Sequence, residues 1–272
     1  MSVVAQPAMT GASTATVQLV AVRPEHSKVQ AGAYPNTQTN IVTPWHMHDM
    51  HQIAYAAEGM FQVETTAARY LLPPQQAAWI PAGLAHKTTL MKVRDVSLFF
   101  EPTLISGAAD RVRVLDVKPV FREMILYSTR WPIDQDRQEP LADAYFIAMA
   151  GLVTQWLEDE LPFHLPTSRD PLVSTAMEFT DEHLAAVTFD EVCARVALSE
   201  RSLRRRFAAE TGLTWREYLL RSRLLRSMTL LSESNITVAS IASRVGFASA
   251  SAFARAFSAY AGQSPTDYRR RL

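Results

Sequence analysis

The chain has a single cysteine, Cys193, among its 272 residues. One thiol excludes an intrachain disulfide, and its position in an apolar-periodic segment is typical of a core residue in a reducing compartment. Long apolar runs are also absent: the longest, around Tyr145 to Val153, is far below the roughly 20 residues that cross a bilayer. The sequence therefore predicts a globular protein of the cytoplasm, without a membrane partner.

The N-terminus lacks the basic start and continuous apolar segment of a secretory signal. It is rich in Ala, Ser and Thr, and we expect residues 1–16 to form a disordered tail. The length that remains is sufficient for two domains with separate cores.

Lysine is missing from the last 85 residues. From Thr188 to Leu272, 14 Arg accompany 7 acidic residues, a formal charge of +7, whereas the first 187 residues carry 13 basic and 20 acidic groups, a formal −7. The net charge of zero is therefore the sum of an acidic N-terminal part and a basic C-terminal part. Positive charge carried by Arg alone suits forked contacts to phosphates and guanine edges, so nucleic acid is the partner that the composition favours.

Hydrophobic periodicity divides the chain into an α+β protein of two domains. Many short strands without intervening helices predict an antiparallel β-barrel, which is followed by helices and then by an all-α domain. The predicted parts are a barrel over 17–102, a helical segment over 103–161, a proline-rich linker over 162–170 and a helical domain over 171–272. The helices of the segment, at Val120–Arg130 and Leu141–Leu161, would cover the barrel or pair two subunits of a homodimer.

The helical domain repeats one pattern. A short helix over Phe189–Ala197 precedes a turn and a second helix over Glu200–Glu210, which Ser199 can cap and Gly212 ends. After a long helix over Trp215–Leu231 the pattern recurs. Eight positions match at a separation of 49 or 50, which indicates an internal duplication with one inserted residue at the second turn. The matching pairs are Thr188 and Thr237, Val192 and Ile241, Arg195 and Arg244, Val196 and Val245, Arg205 and Arg255, Phe207 and Phe257, Gly212 and Gly262, and Tyr218 and Tyr268.

Helical spacing places Arg201, Arg204 and Arg205 on an outward stripe, with Arg206 at its edge. An isolated stripe of this kind is more often a solvated surface than a binding site. Two such helices, held about one DNA turn apart by a rigid connector, can instead enter successive major grooves. The candidate DNA contacts are Arg201, Ser202, Arg204, Arg205 and Arg206 in the first unit, and Ser249, Ser251 and Arg255 in the second.

Residues 188–270 resemble the DNA-binding domain of AraC/XylS-type transcriptional regulators. The resemblance rests on the connector Tyr218–Leu231, on Ile241–Phe247, on Phe253–Phe257 and on Ser264–Arg269. It implies a sequence-specific regulator whose N-terminal domain senses an effector, which acts as a homodimer on a promoter, with RNA polymerase as a further partner. Whether it activates or represses, and at which operator, is not indicated.

A histidine cluster in the barrel is the other feature with chemistry. On an extended strand His46 and His48 share one face with Gln52, and His51 lies on the opposite face. His86 follows a tight Pro-x-Gly turn. The spacing resembles the two motifs of the cupin barrel, which in AraC/XylS proteins forms the sensing domain.

Cupin enzymes hold a divalent metal with three His and one Glu. The resemblance implies the ligands His46, His48, Gln52 and His86, with Zn²⁺ or Ni²⁺ as the ion that imidazoles favour. Gln52 stands where the carboxylate would be, so a metal-free effector pocket lined by the three histidines, with Tyr55 and Trp79, is an equal alternative.

Two further functional classes compete with an effector-controlled regulator. A metal-dependent cupin enzyme is disfavoured because the acidic ligand is missing, and only Asp49 and Glu58 are near the cluster in sequence. An architectural DNA-binding protein would show no effector response. We therefore expect a regulator that is not an enzyme.

Overall fold

The computed structural model describes residues 3–5, 16–36, 40–72, 76–107, 110–136, 139–158, 160–233 and 235–271. The chain divides into two compact units. The first comprises Met1–Thr65 and Tyr70–Pro162, and the second comprises Thr66–Arg69 and Phe163–Leu272. Since the first is rich in β-sheet and the second in helix, the predicted two-domain α+β class is confirmed.

The strands before residue 162 are β1 (Val3–Ala5), β2 (Gln18–Val20), β3 (Ala31–Asn36), β4 (Asn40–Val42), β5 (His46–Met47), β6 (His51–Glu64), β7 (Ala68–Leu72), β8 (Gln76–Ile80), β9 (Lys87–Phe100), β10 (Arg113–Asp116) and β11 (Glu160–Leu161). Strand β6 lies between β8 and β9 and is antiparallel to both. Beyond them, β10 pairs with β8, while β3 and β4 pair with β9.

The predicted barrel is not closed by its hydrogen bonds, because the described strands form two separate sheets. The smaller sheet contains β1, β2 and β5, and its β2 and β5 run parallel. Part of the expected tail is therefore strand, since Val3–Ala5 pair with β2. The rest of that tail, apart from residue 16, lies outside the described residues.

Two helices, α1 (Pro119–Ser128) and α2 (Pro140–Trp156), follow β10. Each begins with proline, whose missing N–H would have no partner in a first turn. The helix predicted to reach Leu161 ends at Trp156, because the backbone of β11 pairs with β10 instead. The segment 103–161 is accordingly a mixture of strand and helix.

The large sheet has two faces, set by the alternation of side chains along β6. Ile53 and Tyr55 point to one of them and are fully buried in a core with Phe121 of α1 and Phe146 of α2. We call this the helix face. Burial of each large apolar side chain contributes about 1.5–3 kcal/mol, so this core fixes the helices on the sheet.

The opposite face carries Gln52, Ala54 and Ala56 of β6, all buried. The register places Ser97 of β9 and Ala78 of β8 on either side of Ala54. We call it the histidine face, because the Gln52 side chain contacts His48 there. At Ala54 and Ala56 only methyl groups project from this face.

The second unit contains, after the short strand β12 (His164–Pro166), the helices α3 (Pro171–Glu182), α4 (Phe189–Arg195), α5 (Glu200–Thr211), α6 (Trp215–Glu233), α7 (Val238–Arg244), α8 (Ala250–Ala261) and α9 (Pro265–Arg271). The region 162–170 is thus not linker throughout. Asp170 caps α3 by accepting from the N–H groups of Leu172 and Val173. Helix α6 is two residues longer at its end than predicted.

Helix α6 is the scaffold of this unit. Its buried Leu224, Leu225 and Met228 pack in the core. At its start the Trp215 indole N–H donates to Thr180 Oγ1 of α3 at 2.9 Å. A helix of this length, about 28 Å at 1.5 Å per residue, gives the two repeated patterns one stiff connector.

No helix in the described part of the chain is both long enough and apolar enough to cross a membrane.

Candidate functional site

Helix α5 presents the arginine stripe because both of its ends are capped. Ser199 Oγ accepts the Ser202 N–H at 3.4 Å, and Gly212 takes a left-handed φ of 67° at the other end. Leu203 and Phe207 are fully buried on the inner side. The outer side of the helix is left to the arginines.

All four arginines of α5 are exposed, but two have intramolecular partners. Arg204 pairs with Glu200 at 2.7 Å, and its guanidinium lies 4.4 Å from the ring centroid of Phe189. Arg206 pairs with Asp170. These two guanidinium groups must exchange a protein partner before they can contact DNA.

Arg201 and Arg205 have no acidic partner within 4.0 Å among the described residues. Their guanidinium groups can therefore present forked donors to phosphate or guanine without breaking an ion pair. Ser202 is half-buried, and its hydroxyl accepts from that of Ser199 at 3.0 Å. This contact supports the N-terminal cap of α5. The two unpaired arginines are the strongest DNA-contact candidates.

The second unit presents a weaker surface. Ser251 and Arg255 of α8 are exposed, but Ser249 is the residue that caps this helix, with Oγ accepting the Ala252 N–H at 3.1 Å. Between them the face carries alanines. Arg255 is the only guanidinium on the outer side of α8, which favours a smaller share of sequence recognition for this helix.

The structure repeats the duplication seen in the sequence. Helices α4 and α7 have seven residues each, and α5 and α8 have twelve each. Thr188 and Thr237 cap the first pair, and Gly212 and Gly262 end the second pair with φ of 67° and 70°. Both halves are helix-turn-helix units.

The turns of the two units differ in one position. Gly246 has a φ of 84°, and its counterpart Ala197 also has a positive φ, 52°, although it is not glycine. A Cβ on Gly246 would lie 2.4 Å from the Ala185 carbonyl oxygen and 2.7 Å from Arg223 Nη2. Arg223 itself donates to the Leu184 carbonyl at 2.9 Å. The second turn therefore packs closely against residues 184–185, which follow α3, and against Arg223 of α6.

The predicted histidines do come together. The ring centroids of His46 and His86 are 4.2 Å apart, and those of His48 and His86 are 5.2 Å apart. His51 lies apart from them, as the strand parity predicts: its ring packs 4.6 Å from Trp79, and its Nδ1 accepts the Ala82 N–H.

Backbone carbonyl groups orient all three rings. Nδ1 of His46 lies 2.9 Å from the Pro44 oxygen, that of His48 2.6 Å from the Met50 oxygen, and that of His86 2.8 Å from the Leu84 oxygen. Since a carbonyl can only accept, Nδ1 of His46 and Nδ1 of His86 carry the proton, whereas both ring nitrogens of His48 face an oxygen. Nε2 of His86 is then a lone-pair acceptor, and it is buried with no hydrogen-bond partner in the described structure.

Burial lowers the pKa of His48 to about 4 and that of His86 to about 3. Loss of hydration is the larger cause in both, and the neighbouring His46 and His48 add to it for His86. Both imidazoles are therefore neutral at pH 7.

Two of the predicted metal ligands, His48 and Gln52, already contact each other. The described residues contain no group of three or more His, Cys, Asp or Glu side chains arranged to hold a metal. Nε2 of His48 lies 2.9 Å from Gln52 Oε1, and the Gln52 amide donates to Ser97 Oγ at 2.9 Å. This geometry favours the metal-free alternative.

Tyr55 and Trp79 were expected beside the histidines, but both are fully buried on the helix face. Strand parity explains the difference, because odd positions of β6 and β8 face α1 and α2. The sequence interpretation missed the small residues of the opposite face, Ala54, Ala56 and Ala78. Alanine at every second position of a strand was the signal that could have identified them.

Two family models match the chain, one in each unit. Residues 33–165 match the AraC-like ligand binding domain, and residues 192–271 match a helix-turn-helix domain. The first range contains the histidine face and the second contains α5 and α8.

Among curated relatives, the chain is similar to the HTH-type transcriptional regulator NimR of Escherichia coli strain K12, at 30% identity over 240 residues, which cover 85% of this chain and 84% of the relative. It is also similar to the HTH-type transcriptional activator RhaS of Klebsiella pneumoniae strain 342, at 35% identity over 104 residues, covering 38% of this chain and 37% of the relative. A crystal structure of the DNA-binding domain of AdpA in complex with a target DNA is similar at 33% identity and a TM-score of 0.35, covering 38% of this chain and 92% of that chain.

Proposed function

This chain belongs to the AraC family of helix-turn-helix transcriptional regulators, and we propose that a small molecule on its histidine face controls how α5 and α8 engage a promoter. Its N-terminal domain is a ligand-binding domain and its C-terminal domain binds DNA. One observation carries the proposal: a buried sheet face of small and polar side chains lies opposite the face that packs on α1 and α2. An effector there can act only through different affinities for two conformations of the protein.

The assignment of the effector to the histidine face is tested by filling that face. Ala54→Leu puts a larger side chain on that face, at the position between Ser97 and Ala78. We expect loss of the effector response in a promoter-reporter strain, with DNA binding retained. The matched control is Val42→Leu, because the Val42 side chain is 73% exposed and a larger residue there fills no buried site. A filled variant that still responds contradicts the assignment.

For the DNA contacts, α5 is proposed to supply the main base recognition through Arg201 and Arg205. Ser251 and Arg255 of α8 would contribute less, and Arg204, Arg206, Ser202 and Ser249 would contribute through phosphates or by capping. Footprinting of the promoter with each arginine replaced by alanine tests this ranking. Equal losses at Arg205 and Arg206 would contradict it.

We also propose a homodimer formed through α1 and α2. These helices expose Val120 (62%), Tyr127 (51%), Leu141 (60%) and Ile147 (58%), and Val120 and Tyr127 line a cleft of about 510 Å³. Apolar exposure of this extent on neighbouring turns is typical of a protein interface. Sedimentation of Ile147→Glu should show a monomer, whereas Val42→Glu, which places the same charge on an exposed strand residue, should leave the mass unchanged.

The relatives are transcriptional regulators, and we propose that this chain has no catalytic activity, acts in the cytoplasm and affects RNA polymerase at its promoter. The carboxylates nearest the histidines in sequence, Asp49 and Glu58, are both exposed, so neither lies in the buried cluster as an acid or base. Incubation of the protein with its effector, followed by NMR of the recovered molecule, tests this: a chemically changed effector would contradict the proposal.

A further inference from the structure

The far end of the histidine face from the imidazoles carries a row of polar side chains. Asp95 of β9 is paired directly with Ala56 of β6 and with Asn36 of β3. On the other side, β6 and β8 are paired as far as Tyr55 and Ala77, so Gln76 is the next residue of β8 toward Ala56. Gln76 is paired with Asp116 of β10. Directly paired residues share a face, so this row of side chains lies across one face of the sheet.

Two oxygen atoms in this row are buried without partners. Asp95 and Gln76 are each 5% exposed, and Asp95 Oδ1 and Gln76 Oε1 have no hydrogen-bond partner among the described residues. A buried polar atom left in this state costs about 1–3 kcal/mol, more for a charged group. Such an atom in a native protein is satisfied from outside the chain, by an ordered water, an ion or a ligand.

The unpartnered atoms have the same chemistry. A carboxylate oxygen and an amide oxygen only accept, and so does the buried Nε2 of His86 at the other end of the face. No buried donor without a partner lies among these groups, although the Asn36 side chain, the Asp95 N–H and the Ser97 hydroxyl already interact with the Asp95 carboxylate. The molecule that satisfies them must therefore donate hydrogen bonds, and beside a carboxylate a cation is favoured.

The surroundings limit the size of that molecule. Strands are about 4.8 Å apart, so Asp95 and Gln76 lie about 10 Å apart across Ala56, and their side chains leave room for a single donor group between them. Next to this row, Ala54 and Ala78 present methyl groups on the histidine face, and Phe99 lies beyond Ser97 on the same face of β9. A compact apolar body fits against these groups.

The charges nearby agree with a cation. Asp116, at the end of the row, already has the Lys118 ammonium 2.5 Å away. The other basic group near this end of β9, Arg94, is 69% exposed and pairs with Glu58 at 3.8 Å. Neither pairs with Asp95 in the described structure. Tyr34, opposite Ser97 on the edge strand β3, is 43% exposed, so the face reaches solvent at that edge.

We propose that the effector of this regulator is a small organic cation, an ammonium or guanidinium with a short apolar body, whose N–H groups donate to Asp95 Oδ1 and Gln76 Oε1 above Ala56. This inference rests on the proposed effector role of the histidine face and adds the chemical class of the ligand.

Calorimetric titration of the full chain with four matched probes tests it: butylammonium, butylguanidinium, 1-butanol and butyrate. Ligands of five to eight heavy atoms bind weakly even when they fit, so the titrations extend to tens of millimolar. The two cations should bind and the alcohol and the carboxylate should not. Asp95→Asn, which keeps the shape of the side chain, should weaken cation binding at least tenfold. Binding of the alcohol as tight as that of the cations, unchanged cation affinity in Asp95→Asn, or no binding of either cation would overturn the assignment.

The filled variant Ala56→Leu separates this inference from the proposed function. It should abolish cation binding and, in a reporter strain, the effector response. If the response is lost in Ala56→Leu while Asp95→Asn responds normally, the face binds the effector but the cation class is wrong. If both variants respond normally, the effector does not bind on this face and the two proposals fall together.

Discussion

The backbones of His46 and His86 exchange two hydrogen bonds of 2.8 Å, and their ring centroids lie 4.2 Å apart. This pairing holds the buried His86 against the half-buried His46, with the buried His48 beside them. Uptake of a proton by one ring would oppose uptake by the next. The cluster is therefore stable only while it stays neutral.

Acid should destabilise the N-terminal domain. His48 and His86 have folded pKa values lowered to about 4 and about 3, below the ordinary 6.5 of the unfolded chain. Between those values the unfolded state binds more protons, so stability is complete above pH 6.5 and falls as the pH is lowered. At pH 5 each histidine should cost about 2 kcal/mol relative to pH 7.

Asp95 has the opposite effect on stability. Burial raises its pKa to about 6, so its protonation between pH 7 and pH 5 stabilises the folded state, but by only about 1 kcal/mol. The histidines therefore dominate. Urea unfolding at pH 7, 6 and 5 measures the difference, and the double variant His48→Gln with His86→Gln should lose most of the slope. Equal stability of the wild-type protein at pH 7 and 5 would show that the histidines are not desolvated in solution.

The purified protein should lack a stoichiometric metal ion. Nε2 of His48 contacts Gln52 instead of an open coordination position, which leaves the imidazoles of His46 and His86 for an ion. Elemental analysis of protein prepared without an affinity tag should give substoichiometric Zn and Ni in both the wild type and His48→Ala. One equivalent of either metal in the wild type that is lost in His48→Ala would restore the metal site.

Asp95→Asn should stabilise the ligand-free protein at pH 7. The folded pKa of Asp95, about 6, lies above the ordinary value of 3.8, so the ionised carboxylate is disfavoured by folding. A shift of this size corresponds to about 2–3 kcal/mol, and a neutral amide of the same shape should recover about 2 kcal/mol of it. The gain should shrink as the pH falls from 7 to 4, since the wild-type carboxyl becomes neutral. Thermal unfolding across that range is the measurement, and a destabilised variant at pH 7 would disprove the predicted burial cost.

Arg205→Ala should weaken binding to the native promoter by about 1–3 kcal/mol, the value of a good bidentate base contact. Arg206→Ala should cost less, because Asp170 already holds that guanidinium. Fluorescence anisotropy with promoter and random duplexes, each at several salt concentrations, separates base recognition from a phosphate contact, which changes the log-log salt slope by about 0.9. Arg94→Ala, an exposed arginine outside the helix-turn-helix units, controls for the loss of one charge. Equal losses on both duplexes would make Arg205 a phosphate contact.

The two turn positions should respond in opposite directions to exchange of glycine and alanine. Gly246→Ala places a Cβ 2.4 Å from a backbone oxygen at positive φ, and we expect a loss of more than 2 kcal/mol. Ala197→Gly relieves a φ of 52° and should be neutral or stabilising by up to about 1 kcal/mol. Chemical denaturation of both variants checks the pair. Similar destabilisation in both variants would mean that chain entropy, and not the conformation of the turns, determines the change in stability.

The helical half of the molecule was predictable from the sequence because its signals are local. Caps such as Ser199 and glycines such as Gly212 fix helix ends within a few residues, and the duplication confirms the pattern twice. What the sequence could not show is the partner of each arginine. Asp170 lies 36 positions before Arg206, and only the packing of α3 against α5 brings them together.

The sheet-rich half was predicted less well because its contacts are distant in sequence. The apolar pattern after Trp156 favours more helix, but pairing with β10 outweighs it at Glu160 and Leu161. Strand parity correctly separates His51 from His48, and by the same parity Tyr55 faces the helices and not the histidines. Asp95 carries no signal in the sequence, since its importance depends on register with Ala56.

The ion pairs that Glu200 and Asp170 make with Arg204 and Arg206 place carboxylates where phosphates of a bound duplex would compete for the same donors. A phosphate must displace these carboxylates before it gains the full attraction of the two guanidinium groups, whatever the base sequence beside it. The two ion pairs therefore lower the affinity of α5 for any duplex below that of a helix with four unpaired arginines.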